Sequence, residues 1–165
     1  MSKDIKGLTL ITGTTSGVGL NTLKPLIRFG WEVIAVNRSN KRAISIAEEF
    51  LTKEEFKNIH FIEIDLSNLD DVKKGCNEIL DRFKKPINSL ICNAAVYKPR
   101  LKRPERSSQG FENSMAVNHF GHFLMINLLL DNILSSEREI VLNGKSTLFK
   151  PRITCLLYTS PSPRD

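Results

Sequence analysis

Near the start of the chain, Gly13-Thr14-Thr15-Ser16-Gly17-Val18-Gly19 has the composition and spacing to hold a phosphate. Glycines permit a tight turn and let a ligand approach the main chain closely, and a following helix points free N–H groups and its positive dipole end at an anion. The spacing is G-x-x-x-G-x-G rather than G-x-G-x-x-G. The apolar run Leu8 to Thr12 lies directly before it, so the glycines fall between a strand and a helix, where a dinucleotide's pyrophosphate binds.

Two later apolar runs end in residues suited to the same ligand. The second closes on Val36-Asn37-Arg38-Ser39. An acid at this place would bind a ribose 2′-OH, whereas the planar fork of Arg38 matches a 2′-phosphate, so NADPH is favoured over NADH. Arg42, one helical turn on, offers a second contact or is a solvated residue at a helix start. The fourth run ends at Asn93-Ala94-Ala95, whose small side chains would let a cofactor pass the sheet edge. His119 and His122 come with no third ligand, so no metal site is expected. The cysteines Cys76, Cys92 and Cys155 have neither metal-ligand spacing nor the even count of a disulfide framework.

Alternating elements must position these residues. Strands are expected over Leu8 to Thr12, Trp31 to Val36, Ile59 to Ile64 and Ile87 to Cys92, with helices from Gly17 to Phe29, Asn40 to Leu51 and Leu69 to Phe83. That alternation predicts an α/β fold, a doubly wound parallel sheet covered on both faces. Pro25 inside the first helix predicts a kink, or a helix bending away from the sheet. From Phe111 to Leu134 a long helix is expected, with Phe111, Met115, Asn118, His122, Met125 and Leu129 on one stripe; His122 reads as a satisfied core or interface histidine. The pattern then dissolves into a polar stretch up to Lys150, and Arg152-Ile153-Thr154 opens a fifth strand. Two prolines and two serines after Cys155 do not continue a buried strand. The expectation is therefore one domain over 1–154, truncated after the start of its fifth strand, and an artefactual or disordered tail over 155–165.

Composition bounds the class. Hydrophobic content of 41% and charged content of 25% are globular values, so disorder is not the default. The net charge of +6 comes mostly from dispersed residues. The one dense basic run, Lys98 to Arg106, is broken by prolines and has no interleaved aromatic platform, which argues against nucleic acid and for a solvated loop or a rim for an anionic ligand or lipid surface. No apolar run reaches the ~18 residues of a membrane span and no signal core is evident, so a cytoplasmic protein in a reducing compartment is expected.

The glycine turn together with Ile91-Cys92-Asn93-Ala94-Ala95-Val96-Tyr97 resembles the short-chain dehydrogenase/reductase family. Within it, Asn93 to Tyr97 with Pro99, Gly110-Phe111-Glu112 and Val117 to Leu124 are most similar to the light-dependent protochlorophyllide reductase branch, over about residues 6 to 154. The resemblance implies a Rossmann-like NADP-binding domain, with Asp65-Leu66 as the adenine-binding pair; the alternative for Asp65 is a helix-initiating residue. It implies that Asn118 helps hold a water-linked proton relay, and it makes Tyr97 the candidate for contacting substrate. The reaction implied is light-driven reduction of the pigment protochlorophyllide with hydride from NADPH, and peripheral association with photosynthetic membranes and homo-oligomers are compatible with it. The family's Tyr-x-x-x-Lys pair does not occur in the 165 residues, which makes an inactive fragment the expectation for this chain. A general NADP-dependent alcohol or ketone reductase and a non-catalytic nucleotide-binding fragment are the alternatives.

Overall fold

The computed structural model describes residues 7–98, 103–142 and 145–156. Strands β1 (Gly7–Thr12), β2 (Trp31–Asn37), β3 (Ile59–Glu63) and β4 (Ile87–Cys92) alternate with helices α1 (Gly17–Arg28), α2 (Asn40–Phe50), α3 (Lys53–Phe56) and α4 (Leu69–Arg82). After β4 come a single turn α5 (Asn113–Met115), a π-helical turn (Ala116–Gly121), α6 (His122–Leu134) and strands β5 (Arg138–Leu142), β6 (Lys145–Phe149) and β7 (Arg152–Cys155). Five strands form one sheet in the order β3-β2-β1-β4-β7, every neighbouring pair parallel. The order reverses between β1 and β4, which opens a crevice at their carboxyl ends.

Both faces of the sheet are largely buried across β1 to β4, as a parallel sheet requires, while the edge strand β7 is exposed. Leu8, Leu10, Ile34 and Val36 pack toward Val72 and Ile79 of α4 and Met125 and Leu129 of α6. Ile11, Val33 and Ala35 point the other way, onto Leu23 and Ile27 of α1 and Ala47 of α2. Each such side chain, buried completely, contributes roughly 1.5–3 kcal/mol, so the strand alternation sets the layers.

Four local expectations are corrected, and one short helix is added. Helix α1 runs through Pro25 to Arg28 and stays on the sheet, with Leu23 and Ile27 buried on either side; Pro25 lies on the exposed face, where a lost backbone bond is least costly. The stripe expected from Phe111 to Leu129 holds only from His122 onward, because Phe111 and Met115 are exposed. The cause is the π-helical turn, whose wider winding makes Ala116 and Gly121, five apart, its buried pair. Helix α3 is an extra turn, fixed by a capping box in which Thr52 accepts from the Glu55 amide and Glu55 accepts from the Thr52 amide. The stretch before Lys150 is an antiparallel hairpin, β5 on β6, with Leu142 paired to Lys145. The intervening Asn143-Gly144 is the dipeptide that two-residue hairpin loops favour. Strand β7 takes in Cys155, and the Leu156 amide donates to the Cys92 carbonyl at 2.9 Å.

Candidate active site at the carboxyl edge of the sheet

The glycine turn leaves β1 at the centre of this edge. Gly13 and Gly17 have φ of +73° and +55°, the left-handed region that favours glycine. At Gly19 the backbone approach decides instead: a Cβ there would lie 2.1 Å from the Gly13 carbonyl oxygen and 2.5 Å from Asn93 Nδ2. That Asn93 amide donates to both the Thr12 and Gly13 carbonyls at 2.9 Å, so the end of β4 is fastened to the turn. Ser16, Gly17 and Val18 are exposed at the start of α1, Ser16 makes no side-chain cap, and the first turn carries no acid. Uncapped N–H groups with no nearby carboxylate fit a pyrophosphate.

Thr14 is turned inward, at 2% exposure. Its amide donates to Asn37 Oδ1 at 2.8 Å, and Asn37 Nδ2 donates back to Thr14 Oγ1 at 2.8 Å. Asn37 thus latches the glycine turn to the end of β2. Sequence reasoning assigned it no role, although a polar residue ending the buried run Val33-Ile34-Ala35-Val36 was the available signal.

Two clefts meet here. The first, about 260 Å³, is lined by Gly13, Thr15, Arg38, Arg42, Asp65 and Leu66 among others. Arg38 and Arg42 are exposed, and among the described residues neither has an ion-pair partner. Asp65 serves the turn after β3: its Oδ1 accepts from the Ser67 amide and hydroxyl at 2.9 and 2.7 Å. The second cleft, about 340 Å³, is lined by Tyr97, Asn118, His119, His122, Phe123 and Ile126 among others. Ala94 and Ala95 belong to both clefts, so these small residues form the sill between them. Tyr97 is 80% exposed at the second cleft.

Asn118 lies in the π-helical turn with both ends of its carboxamide engaged. It accepts from the Val96 amide at 2.7 Å and donates to the Val96 carbonyl at 2.9 Å, which holds the segment beyond the sill against the helix. His122 is 4% exposed, with Nε2 2.9 Å from Thr12 Oγ1 and Nδ1 3.4 Å from the Asn118 carbonyl. Burial holds its pKa below the ordinary histidine value, partly countered by the Asn118 backbone bond.

Known proteins share this arrangement. The short chain dehydrogenase profile matches residues 8–160. The chain is 39% identical over 147 residues to the chloroplastic protochlorophyllide reductase of Daucus carota, a match covering 86% of this chain and 36% of that protein. It is 35% identical over 150 residues to protochlorophyllide reductase A of Arabidopsis thaliana, covering 86% of this chain and 35% of the relative. The chain therefore spans about a third of the length of the curated relatives it matches. Among solved structures, an alcohol dehydrogenase from the archaeon Thermococcus sibiricus, complexed with 5-hydroxy-NADP, superposes with a TM-score of 0.64 at 26% identity, covering 79% of this chain and 54% of that one. A glycine turn at the switch point of a doubly wound sheet, a cleft on either side of an alanine sill and these likenesses agree: the chain belongs to the short chain dehydrogenase family and carries the fold of an oxidoreductase.

Proposed function

We propose that this chain is the NADPH-binding part of a light-driven protochlorophyllide reductase. The observation that carries the cofactor reading is the pair Arg38 and Arg42, two exposed cations without carboxylate partners among the described residues, in the cleft that begins at the glycine turn. The uncapped start of α1 would hold the pyrophosphate, and the arginines would meet a 2′-phosphate with charge-assisted bonds. NADPH supplies a hydride when bound. The sill Ala94-Ala95 lets a cofactor reach from the first cleft into the second, while the Asn118 carboxamide fixes Val96 beside that passage. The relatives' names support a protochlorophyllide substrate, and the second cleft, with Tyr97 at its mouth and Phe123 and Ile126 in its wall, would give a flat apolar pigment a dry surface. The sequence contains no Tyr-x-x-x-Lys pair, so proton delivery is assigned to no residue of this chain, and the chain alone is proposed to be inactive. The relatives named chloroplastic support placement in a plastid. Among the described residues no helix is long and apolar enough to cross a membrane.

The test is a fluorescence titration with NADPH and NADH, comparing the chain with Arg38→Ala. Loss of a charge-assisted contact of roughly 1.5–3 kcal/mol should weaken NADPH by about tenfold or more and leave NADH nearly unchanged. Equal loss for both cofactors would remove Arg38 from the phosphate site.

A further inference from the structure

The Thr12 hydroxyl, at the carboxyl end of β1, is the meeting point of three hydrogen bonds. The Asn93 amide donates to it at 3.0 Å and the Ala94 amide at 2.9 Å. A hydroxyl oxygen offers two acceptor sites and one proton, so both acceptor sites are filled by N–H groups that cannot reverse their roles. The remaining contact, to His122 Nε2 at 2.9 Å, must then use the hydroxyl proton. Nε2 is the acceptor and carries no hydrogen. A neutral imidazole has one N–H, which this argument puts on Nδ1, toward the Asn118 carbonyl at 3.4 Å.

We propose that His122 is a positioning residue: as the neutral Nδ1–H tautomer, it takes the Thr12 hydroxyl proton on Nε2 and so fixes the Asn93–Ala94 backbone where the two clefts meet. That this backbone is a cofactor sill rests on the function proposed above; the direction of the hydrogen bonds does not. Two further observations agree. His122 is almost completely buried, and among the described residues the ionisable groups that share its cleft are Cys92, Cys155, His119 and Tyr97, with no carboxylate to favour an imidazolium. A second proton, on Nε2, would face an oxygen with no acceptor site left, and either the Asn93 or the Ala94 amide would lose its partner. His122 thereby couples the helix to the ends of β1 and β4, and Asn118 extends the coupling to Val96 through its carboxamide.

The protonation pattern is directly measurable, because the chain holds only three histidines, His60, His119 and His122. Nitrogen-15 NMR of the full chain should place the His122 proton on Nδ1 and find Nε2 bare; a proton on Nε2 at neutral pH would overturn the assignment. The second measurement is amide hydrogen exchange at Asn93 and Ala94. His122→Leu, which removes the acceptor, should speed exchange there by about tenfold, and His122→Gln, whose carboxamide oxygen can replace Nε2, should restore it to within about threefold. Thr12→Val, which removes the acceptor of both amides, should speed exchange further still, and adding His122→Leu to it should produce no additional acceleration, since His122 acts on these amides only through that hydroxyl. Unchanged exchange in His122→Leu would refute the positioning role. Should that variant fail to fold, the tautomer and the glutamine variant still decide. NADPH affinity, read on the same proteins, should follow the exchange rates. A wild-type chain that binds no NADPH would overturn the cofactor reading and leave the exchange and tautomer results standing on their own.

Discussion

Replacing Gly13 should destabilise the chain far more than replacing Gly17, and asparagine should separate the reasons. Both residues have positive φ, at +73° and +55°. A non-glycine residue in the left-handed region costs about 1–2 kcal/mol, and asparagine escapes much of that through its local hydrogen bonding. The surroundings differ sharply: a Cβ at Gly17 meets nothing within 4 Å, whereas at Gly13 it lies 2.8 Å from Ala94 Cα and 3.1 Å from Ala94 N. These are backbone atoms, so no rotamer change relieves the clash, and overpacking of this kind adds roughly 1–3 kcal/mol. Gly13→Ala should therefore cost about 2–5 kcal/mol and Gly17→Ala about 1–2 kcal/mol. Gly17→Asn should recover most of the loss at its position, while Gly13→Asn should keep the roughly 1–3 kcal/mol of the clash with Ala94. Equilibrium denaturant unfolding, followed by circular dichroism on the four variants, gives the comparison. Equal stability of the two asparagine variants would refute the claim that the approach of Ala94, rather than φ alone, selects glycine at position 13.

Two further outcomes follow from the same contacts. Asn37→Ala leaves the buried Thr14 amide without a partner, and the orphaned donor should cost about 1–3 kcal/mol in denaturant unfolding, whereas Ser39→Ala, at an exposed cap, should cost less. Glu55 accepts from the Thr52 amide and pairs with Arg28, and these contacts lower its pKa from 4.5 to about 2. A carboxyl with a depressed folded-state pKa stabilises above its unfolded value and loses that contribution as pH falls through the folded one. Thermal unfolding should therefore show a decline in stability between about pH 4.5 and 2 that Glu55→Gln flattens; an unaltered acid profile in that variant would show that the capping box carries no pH dependence.

The elements of the sheet were legible because each strand is a short apolar run bounded by turn residues: Ile87 to Cys92 is found with its expected bounds, and the first four strands pair in parallel as the alternation requires. The misses have one kind of cause. A helical stripe presumes one constant winding, and the π-helical turn breaks that presumption between Met115 and His122. In the hairpin over β5 and β6 the short apolar runs Ile140 to Leu142 and Leu148-Phe149 are set among charged and small polar residues, which hid a pairing that Asn143-Gly144 could have signalled. In the candidate site, residues that line the clefts were easier to pick out than residues that hold them in place. Arg38 stood out by its charge at a strand end, while Asn37 beside it, Thr12 and the bonding of His122 depend on contacts between positions 23 and 110 apart in sequence.

The central place of β1 in the sheet has a consequence for how the chain is made. One edge of β1 is covered by β2 soon after synthesis, but the other waits for β4; the Leu8 amide, for example, takes Asn88 as its partner, 80 residues later. At ribosomal rates of about 5–20 residues per second, that open edge persists for roughly 4–16 seconds, and an unpaired strand edge that the finished sheet buries is a template for wrong partners. Nascent chains stalled between β2 and β4 should therefore be the species most prone to aggregate and most dependent on chaperones. In a circular permutant that begins at β4, that strand is already made when β1 emerges, so the second edge of β1 should find its partner without that delay.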